Sequence, residues 1–520
     1  MDNLPHTLMT HTPREEQFNF EGLFVFEMAN NHQGDVEHGK RIIREMAKLA
    51  KEFGVKAAVK LQFRDLDTFV HPAEKNNKDN KHVQRFLSTK LSEDQFAELI
   101  RETKEHGLLT MCTPFDEPSV DQLARQGIEI LKIGSCSAKD WPLLEKAVQA
   151  GKPMIVSTGG MHMKDVDNLV SFLDHRYANF ALMHCVAVYP TPKNKLRLRQ
   201  IEVMRERYPE ITIGFSTHED PDNTSAIQLA FAKGARMFEK HVGVPTDTIK
   251  LNAYSANPDQ VRAWLTAYQD AVDSCGNEES LWGQADEAKD LHLLMRGVFA
   301  MGDIKKGQII HRDDVFFAFP IQQGQMSSGQ WRDGIVADRD YAKNMPLLAS
   351  LSERPLGKKE LIYGVIHDVK GMLNAARIPV GLEFSVELSH HYGMKNFREC
   401  GVVIIDCINR EYCKKLLIQL PGQRHPYHHH KKKEETFQML AGKLEVELEG
   451  KYRRTLYPGD TLVIQRGVKH RFWTDSGAIF EEVSTTHYND DSMYDDPSIN
   501  TKPREERKTK LVNWGRHQFD

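Results

Sequence analysis

Eight short apolar runs recur between residues 20 and 265. They are LFVFEMA (23–29), VKAAVKLQF (55–63), LLTMCTPF (108–115), IEILKIGS (128–135), PMIVSTGG (153–160), NFALMHCV (179–186), ITIGFS (211–216) and ARMFEKHV (235–242). Continuous apolar runs of this length read as strands buried on both faces. Stretches with helical spacing lie between most of them. Gly39 to Phe53 carries Ile42, Ile43, Met46, Leu49 and Ala50 on one side, and Ser92–Glu105 and Pro118–Gln126 read the same way. Strand–helix alternation predicts a parallel sheet, and eight units in roughly 250 residues are the size of a (β/α)8 barrel. An open doubly wound sheet would need a Gly-rich phosphate turn after the first strand. EMANNHQGD is not one.

In such a barrel, chemistry gathers where the strands end at their carboxyl termini. Glu27 ends the first run, and Lys60 and Gln62 end the second on one face. Lys132 and Ser135 end the fourth, Ser157 ends the fifth, and Tyr189 follows the sixth. Ser216 and His218 end the seventh, and Glu239 and His241 end the eighth. Alternate residues of a strand share a face, so Ser216 pairs with His218 and Glu239 with His241. Two histidines on neighbouring strand ends can hold a divalent metal with positions left open for substrate. Each alone could equally be a hydrogen-bonded core histidine. A lone lysine in an apolar run can snorkel to solvent. Two lysines and several serines at one mouth instead describe a bound phosphate and carboxylate. The residues therefore predict a metal-dependent barrel enzyme acting on a small phosphorylated acid.

A chain of 520 residues is too long for one core, and 40% hydrophobic with 27% charged residues describes an ordinary globular protein. A net charge of −4 gives no basic field for nucleic acid. Seven scattered cysteines without a metal-type pair suggest a reducing, cytoplasmic setting. The first residues lack the apolar stretch of a signal peptide, and no run approaches the roughly 20 apolar residues of a membrane span.

The pieces FEMANNHQGD, AVKLQF, TPFDE, ILKIGS, MIVSTGGM, LMHCVAVYPTP, IGFSTHE and GARMFEKH, in this order, resemble the sialic acid (N-acetylneuraminate) synthase family. The resemblance implies condensation of phosphoenolpyruvate with an N-acylated amino sugar aldehyde, giving a nonulosonic acid and phosphate. It implies that Lys60, Lys132, Ser135, Ser157 and Ser216 bind phosphoenolpyruvate, and that His218 and His241 hold Mn²⁺ or Mg²⁺. Gln62 and Tyr189 become sugar contacts. Glu27 and Glu239 become partners of the metal's water, and one of them the base for the water that adds at carbon 2 of phosphoenolpyruvate. Three positions depart from the family: Ser137 for a carboxylate, Ala187 for Asn or Ser, and Asn252 for Asp in the sugar site. All three remove charge or polarity. The expected acceptor is accordingly N-acetylmannosamine or, better matched, a diacetamido-trideoxy hexose.

Beyond the barrel (21–270, after an N-terminal segment 1–20) a linker is expected at 271–292. Residues 293–357, containing RGVFAMGDIKKGQIIHRDDVFFAFP, resemble the family's small antifreeze-like domain. In the family it leans over the barrel of a second subunit in a homodimer and offers an arginine to the sugar, where this chain has Phe319 before Pro320. In 358–490, His428, His430, Glu435 and Gly442 fit the first cupin motif. Gly459, Gly467 and His470 fit the second, with Gln465 where proline is usual. Three histidines and a glutamate inside a small β-barrel would hold a second divalent transition metal. Read without those spacings, HHHKKKEE is a solvated charge run. Residues 491–520 read as a polar tail with little core of its own. Two other functions stay open: another phosphoenolpyruvate-dependent 3-deoxy-ulosonate synthase or metal aldolase, and a sugar-binding protein without catalysis.

Overall fold

The computed structural model describes residues 17–75, 79–216, 218–276, 285–352, 357–381, 383–488 and 490–514. Residues 1–16 of the expected N-terminal segment and 277–284 of the expected linker lie outside the described residues. The chain divides into two compact units, 1–284 and 285–520.

The first unit is a closed parallel barrel. Its strands are β1 (Leu23–Glu27), β2 (Lys56–Phe63), β3 (Leu109–Pro114), β4 (Ile130–Ile133), β5 (Met154–Ser157), β6 (Phe180–Cys185), β7 (Ile213–Ser216) and β8 (Met237–His241), in chain order, with β8 pairing back onto β1. The eight expected runs are the eight strands. Helix α1 (Val36–Phe53) begins at Asp35, whose side chain accepts from the Glu37 and His38 N–H groups, and stops at Gly54 with φ 63°. Its buried stripe of Ile42, Ile43, Met46 and Leu49 packs in one core with the outward strand residues Phe24, Phe26, Val59 and Phe238. Each such side chain stabilises the fold by about 1.5–3 kcal/mol.

The inward residues form layers. Val25, Ala58, Met111, Ile130, Ile155, Ala181, Met183 and Met237 make an apolar plug, with Phe20 in the same cluster. One alternation further along the strands stand Glu27, Lys60, Lys132, Ser157, Ser216 and Glu239. Gly214 is constrained by this packing. A Cβ there would lie 2.8 Å from the Met237 methyl and 2.9 Å from its carbonyl oxygen, so any side chain would displace β8.

The polar excursion after β2 is more ordered than its sparse apolar spacing predicts. It forms a turn of helix, α2 (Leu66–Phe69), and helix α3 (Lys81–Ser88), capped by Asn80. Leu66, Val70 and Val83 bury a small core beneath them. Around the barrel follow α4 (Glu93–Glu105), α5 (Glu117–Arg125), α6 (Trp141–Gln149), α7 (Met163–Asp174), α8 (Arg199–Arg207), α9 (Ser225–Ala232) and α10 (Pro258–Cys275). Helix α10 runs into the stretch expected as linker.

The second unit opens with α11 (Ala285–Leu293) and a small β region: β9 (Gly297–Ala300), β10 (Ile309–Ile310), β11 (Val315–Ala318) and β12 (Ile335–Val336). Its core gathers Val298, Ile304, Ile310, Val315, Met326 and Leu347. Helix α12 (Lys358–Ala375) follows. The remaining strands are β13 (Ser385–Ser389), β14 (Val402–Asn409), β15 (Tyr412–Gln419), β16 (His428–His430), β17 (Glu435–Gly442), β18 (Leu444–Leu448), β19 (Tyr452–Leu456), β20 (Thr461–Ile464), β21 (His470–Trp473), β22 (Ala478–Thr485), β23 (Ser492–Tyr494) and β24 (Lys508–Leu511). They make a seven-stranded sheet, β20-β17-β22-β15-β14-β13-β24, and a five-stranded sheet, β19-β18-β21-β16-β23. Gly442, at φ 79°, approaches Gly477 so closely that an added Cβ would meet its carbonyl oxygen at 2.2 Å.

The expected polar tail is corrected by the structure. β23 pairs with β16, and β24 pairs antiparallel with β13. Leu511 and Trp514 join the core that α12 forms on the sheet. Tyr494, Ile499, Leu511 and Trp514 are buried, and these few apolar side chains dock a segment whose overall composition is polar.

Candidate functional site

Register assembles the barrel site. Glu27 lies beside Lys60 on β2 and beside His241 on β8, and Ser216 lies beside Glu239. The Lys60 ammonium contacts both Glu27 and Glu239, the latter at 2.8 Å. Lys132 donates to the other Glu239 oxygen at 2.9 Å, and the Ser216 hydroxyl donates to Glu239 at 2.9 Å. Glu239 is thus the hub of a buried cluster of two lysines and two carboxylates. Burial pushes its carboxyl up, but the two lysines outweigh that and hold it well below the usual carboxylate range. Burial brings Lys60 down to about 8, against the pull of Glu239.

Glu239 is held at once by Lys60, Lys132 and Ser216, and Glu27 by Lys60 and the Ala29 N–H. Ser135 lies on the loop after β4, and its Oγ accepts the Gly159 N–H at 3.0 Å. A Cβ at Gly159 would come within 2.7 Å of that oxygen, so a side chain there would push the Ser135 hydroxyl aside. Ser157 ends β5, buried, with its side chain on the inward face.

The two histidines face each other beside this cluster, with ring centroids 5.1 Å apart. His218 Nδ1 lies 3.3 Å from the Val186 carbonyl, which leaves Nε2 free to ligate. Burial lowers His218 to about 4 and His241 well below its ordinary value, so both are neutral, as metal ligation requires. This donor set fits a divalent cation that takes its remaining ligands from water or substrate. Behind them, Lys240 and Glu219 form an ion pair at 2.7 Å with both side chains 1% exposed. It ties the residue after His218 to the residue before His241.

Tyr189 is 57% exposed, and its ring centroid sits 4.1 Å from His218. Tyr254 packs within 5.1 Å of His241 and 5.6 Å of Tyr189. It escaped sequence reading because it lies in an irregular loop with no periodicity. Asn252 Oδ1, in that loop, accepts the Tyr254 N–H at 3.1 Å. Gln62 continues the inward stripe of β2 above Lys60, and its Oε1 accepts from Arg64 at 3.1 Å. Arg64 was also unforeseen. Its guanidinium stacks on Phe115 at 3.6 Å and Phe86 at 4.1 Å, and its Nε is buried without a hydrogen-bond partner.

The second unit holds the other cluster. His428, His430, Glu435 and His470, all buried, bring one ligand atom each within 4.8 Å of one another. Each imidazole faces a backbone carbonyl with Nδ1: Pro426 at 3.3 Å, Asp491 at 2.9 Å and Val468 at 3.0 Å for His428, His430 and His470. That turns the Nε2 atoms inward, the usual second layer of a metal site. Glu435 Oε1 and His470 Nε2 lie 2.8 Å apart, and both lack a hydrogen-bond partner. Buried polar atoms left this way fit a cation between them. Lys433, 3% exposed, joins Glu435 at 2.5 Å to Glu482 at 2.7 Å. It was hidden among three consecutive lysines.

Comparison with known proteins agrees with this division. Residues 46–280 match the NeuB family and residues 416–483 match the cupin domain. N-acetylneuraminate-9-phosphate synthase of Homo sapiens is 31% identical over 42% of this chain, which spans 61% of that relative's length. N,N'-diacetyllegionaminic acid synthase of Campylobacter jejuni is 26% identical over 55% of this chain and 87% of its own length. The crystal structure of a putative spore coat polysaccharide biosynthesis protein E from Chromobacterium violaceum is 45% identical, covering 64% of this chain and 99% of that one, with a TM-score of 0.61.

Proposed function

This chain belongs to the NeuB family through its barrel, and on that premise we propose that it condenses phosphoenolpyruvate with an N-acylated amino sugar aldehyde. The products are a nonulosonic acid and inorganic phosphate. The observation that carries the reading is the buried cluster of Lys60, Lys132 and Ser216 around Glu239, set directly beside the neutral pair His218 and His241. Two buried ammonium groups and a hydroxyl suit an anion of two acidic groups. A divalent metal on the two histidines would supply Lewis acidity at the sugar's aldehyde.

In this reading Lys60, Lys132, Ser135, Ser157 and Ser216 hold phosphoenolpyruvate. Its carbon 3 bonds to the aldehyde carbon, water adds at carbon 2, and the carbon–oxygen bond to phosphate breaks. The aldehyde oxygen ends as a hydroxyl. Glu27 or Glu239 takes the proton from the water, and the two carboxylates keep Lys60 and Lys132 charged and aligned. Gln62, Tyr189 and Asn252 face the sugar. Holding both reactants in register is worth about 7–11 kcal/mol.

Ser137, Ala187 and Asn252 remove polar partners from the acceptor side, which favours a diacetamido-trideoxy hexose over N-acetylmannosamine. The name of the Campylobacter jejuni relative points the same way. Phosphate release and product mass, measured over a panel of N-acyl hexosamines, test this. N-acetylmannosamine as the best substrate would sink the acceptor assignment. Product formed only from a sugar phosphate, or without phosphate release, would favour another ulosonate synthase or an aldolase.

The cupin quartet is read as a second divalent-metal site. The small β region of residues 297–347 is read as an antifreeze-like domain that covers the barrel of a second copy in a homodimer. Free thiols at all seven cysteines accord with a reducing cytoplasm. Among the described residues no helix is long and apolar enough to cross a membrane.

A further inference from the structure

Lys60 and Gln62 climb one inward stripe of β2 from the lysine–glutamate cluster, and Arg64 follows just past the strand's end, its guanidinium donating to Gln62. Beside the top of that stripe lies a cavity of about 40 Å³. Asn30, His32, Gln62, Arg64, Phe86 and Phe96 are among its walls. A single water needs about 10–15 Å³ on this measure, so the cavity suits a group of two or three heavy atoms.

Its walls are of two kinds. Phe86, Phe96 and Leu66 offer apolar surface. Arg64, Gln62 and Asn30 offer polar groups, and the Arg64 Nε–H has no partner inside the protein. Phe115 and Phe86 sandwich the guanidinium, so it cannot swing away to solvent without losing both contacts. Asp116, the carboxylate that pulls on it from nearby, is engaged in capping α5. A buried donor left unpaired is costly, and a ligand oxygen placed there would remove the cost. One carbonyl oxygen and one methyl, in a space of three heavy atoms, are an acetyl group.

We propose that this cavity is the acyl pocket of the acceptor sugar, with Arg64 donating Nε–H to the acyl carbonyl and Phe86 bounding the length of the acyl chain. The inference rests on the synthase reading above. It makes Arg64 a substrate-binding residue and Phe86 the gauge of acyl size.

The test is kcat/KM for N-acetyl-, N-propanoyl- and N-butanoyl-mannosamine with the Mn²⁺-loaded full chain, in the wild type and in Phe86→Ala, Phe86→Leu and Arg64→Met. The wild type should lose at least about tenfold for each added methylene. Phe86→Ala should reverse that order, and Phe86→Leu should flatten it if the larger truncation fails to fold. Arg64→Met should lose about ten- to a hundredfold with every N-acyl acceptor while the KM for phosphoenolpyruvate stays within twofold. In the wild type, saturation-transfer NMR should show the acyl methyl as the sugar's most enclosed group. An unchanged acyl-length order in both Phe86 variants, with normal turnover, would overturn the pocket and leave the synthase reading intact. A wild type that releases phosphate with no N-acyl sugar would overturn both.

Discussion

The barrel and the cupin both bury histidines beside carboxylates and lysines, yet they leave different things unfinished. In the barrel, His218 and His241 form a pair under the half-exposed Tyr189, and the charges beneath them cancel among Lys60, Lys132, Glu27 and Glu239. In the cupin, four ligand atoms already converge, and Lys433 and Glu482 back them. In the proposed reading the barrel keeps coordination positions and hydrogen-bonding capacity for reactants, while the cupin supplies its ligands from the chain itself. Burying a charge is tolerable only with a partner; on that reading the substrate would exchange with the partner in the barrel, and a cation would complete it in the cupin.

The contrast can be broken most directly at His241. His241→Ala should lower phosphate release by about a thousandfold, the several kcal/mol a Lewis acid contributes. Metal at the cupin should stay in place, as read by metal analysis of the purified chain. A variant with near-normal turnover in the presence of a chelator would remove the metal from the barrel's chemistry.

The next largest effect concerns stability of the second unit. Burial pushes the Glu387 carboxyl up, but Lys508 and Arg504 outweigh it and bring it from 4.5 to about 2. A depressed carboxyl stabilises the fold above its unfolded pKa, and that stabilisation drains away as pH falls from about 4.5 to about 2. The shift is worth about 3 kcal/mol in full. Thermal melts from pH 6 to 2.5 should show a decline that Glu387→Gln flattens; parallel curves would refute the assignment.

Lys60→Met and Lys132→Met each remove one charge-assisted contact, so the KM for phosphoenolpyruvate should rise about ten- to a hundredfold. Each also leaves Glu239 short of a partner. An acceptor KM that rises instead would exchange the two substrate subsites. The smallest effect is expected from the cupin: His428→Ala/His430→Ala should lose about one metal equivalent per chain with turnover unchanged within twofold. Unchanged metal content would dissolve the cupin site, and lost turnover would join the two sites functionally.

Much of the barrel was legible because strands buried on both faces leave unbroken apolar runs, and a polar residue inside such a run is conspicuous. Glu27, Lys60, Lys132 and Glu239 stood out on that ground. Their pairing did not. Lys60 and Glu239 lie 179 residues apart, and the closure of β8 onto β1 brings them together. Arg64 sits just beyond the end of β2, where alternation stops and direction is unpredictable. Lys433 was masked by the two lysines before it, which stay outside while it turns in. The cupin histidines were readable by spacing, since His428 and His430 are alternate residues of one strand and share a face.

Strand β24 gives the seven-stranded sheet an unusual dependence on residues 508–514. It forms the outer edge of the seven-stranded sheet, so its removal would bare the backbone of β13 from Val386 to Ser389 and uncover the Trp514 site. Open sheet edges recruit other strands. Shortening the chain past Lys508 would therefore turn the protein toward self-association.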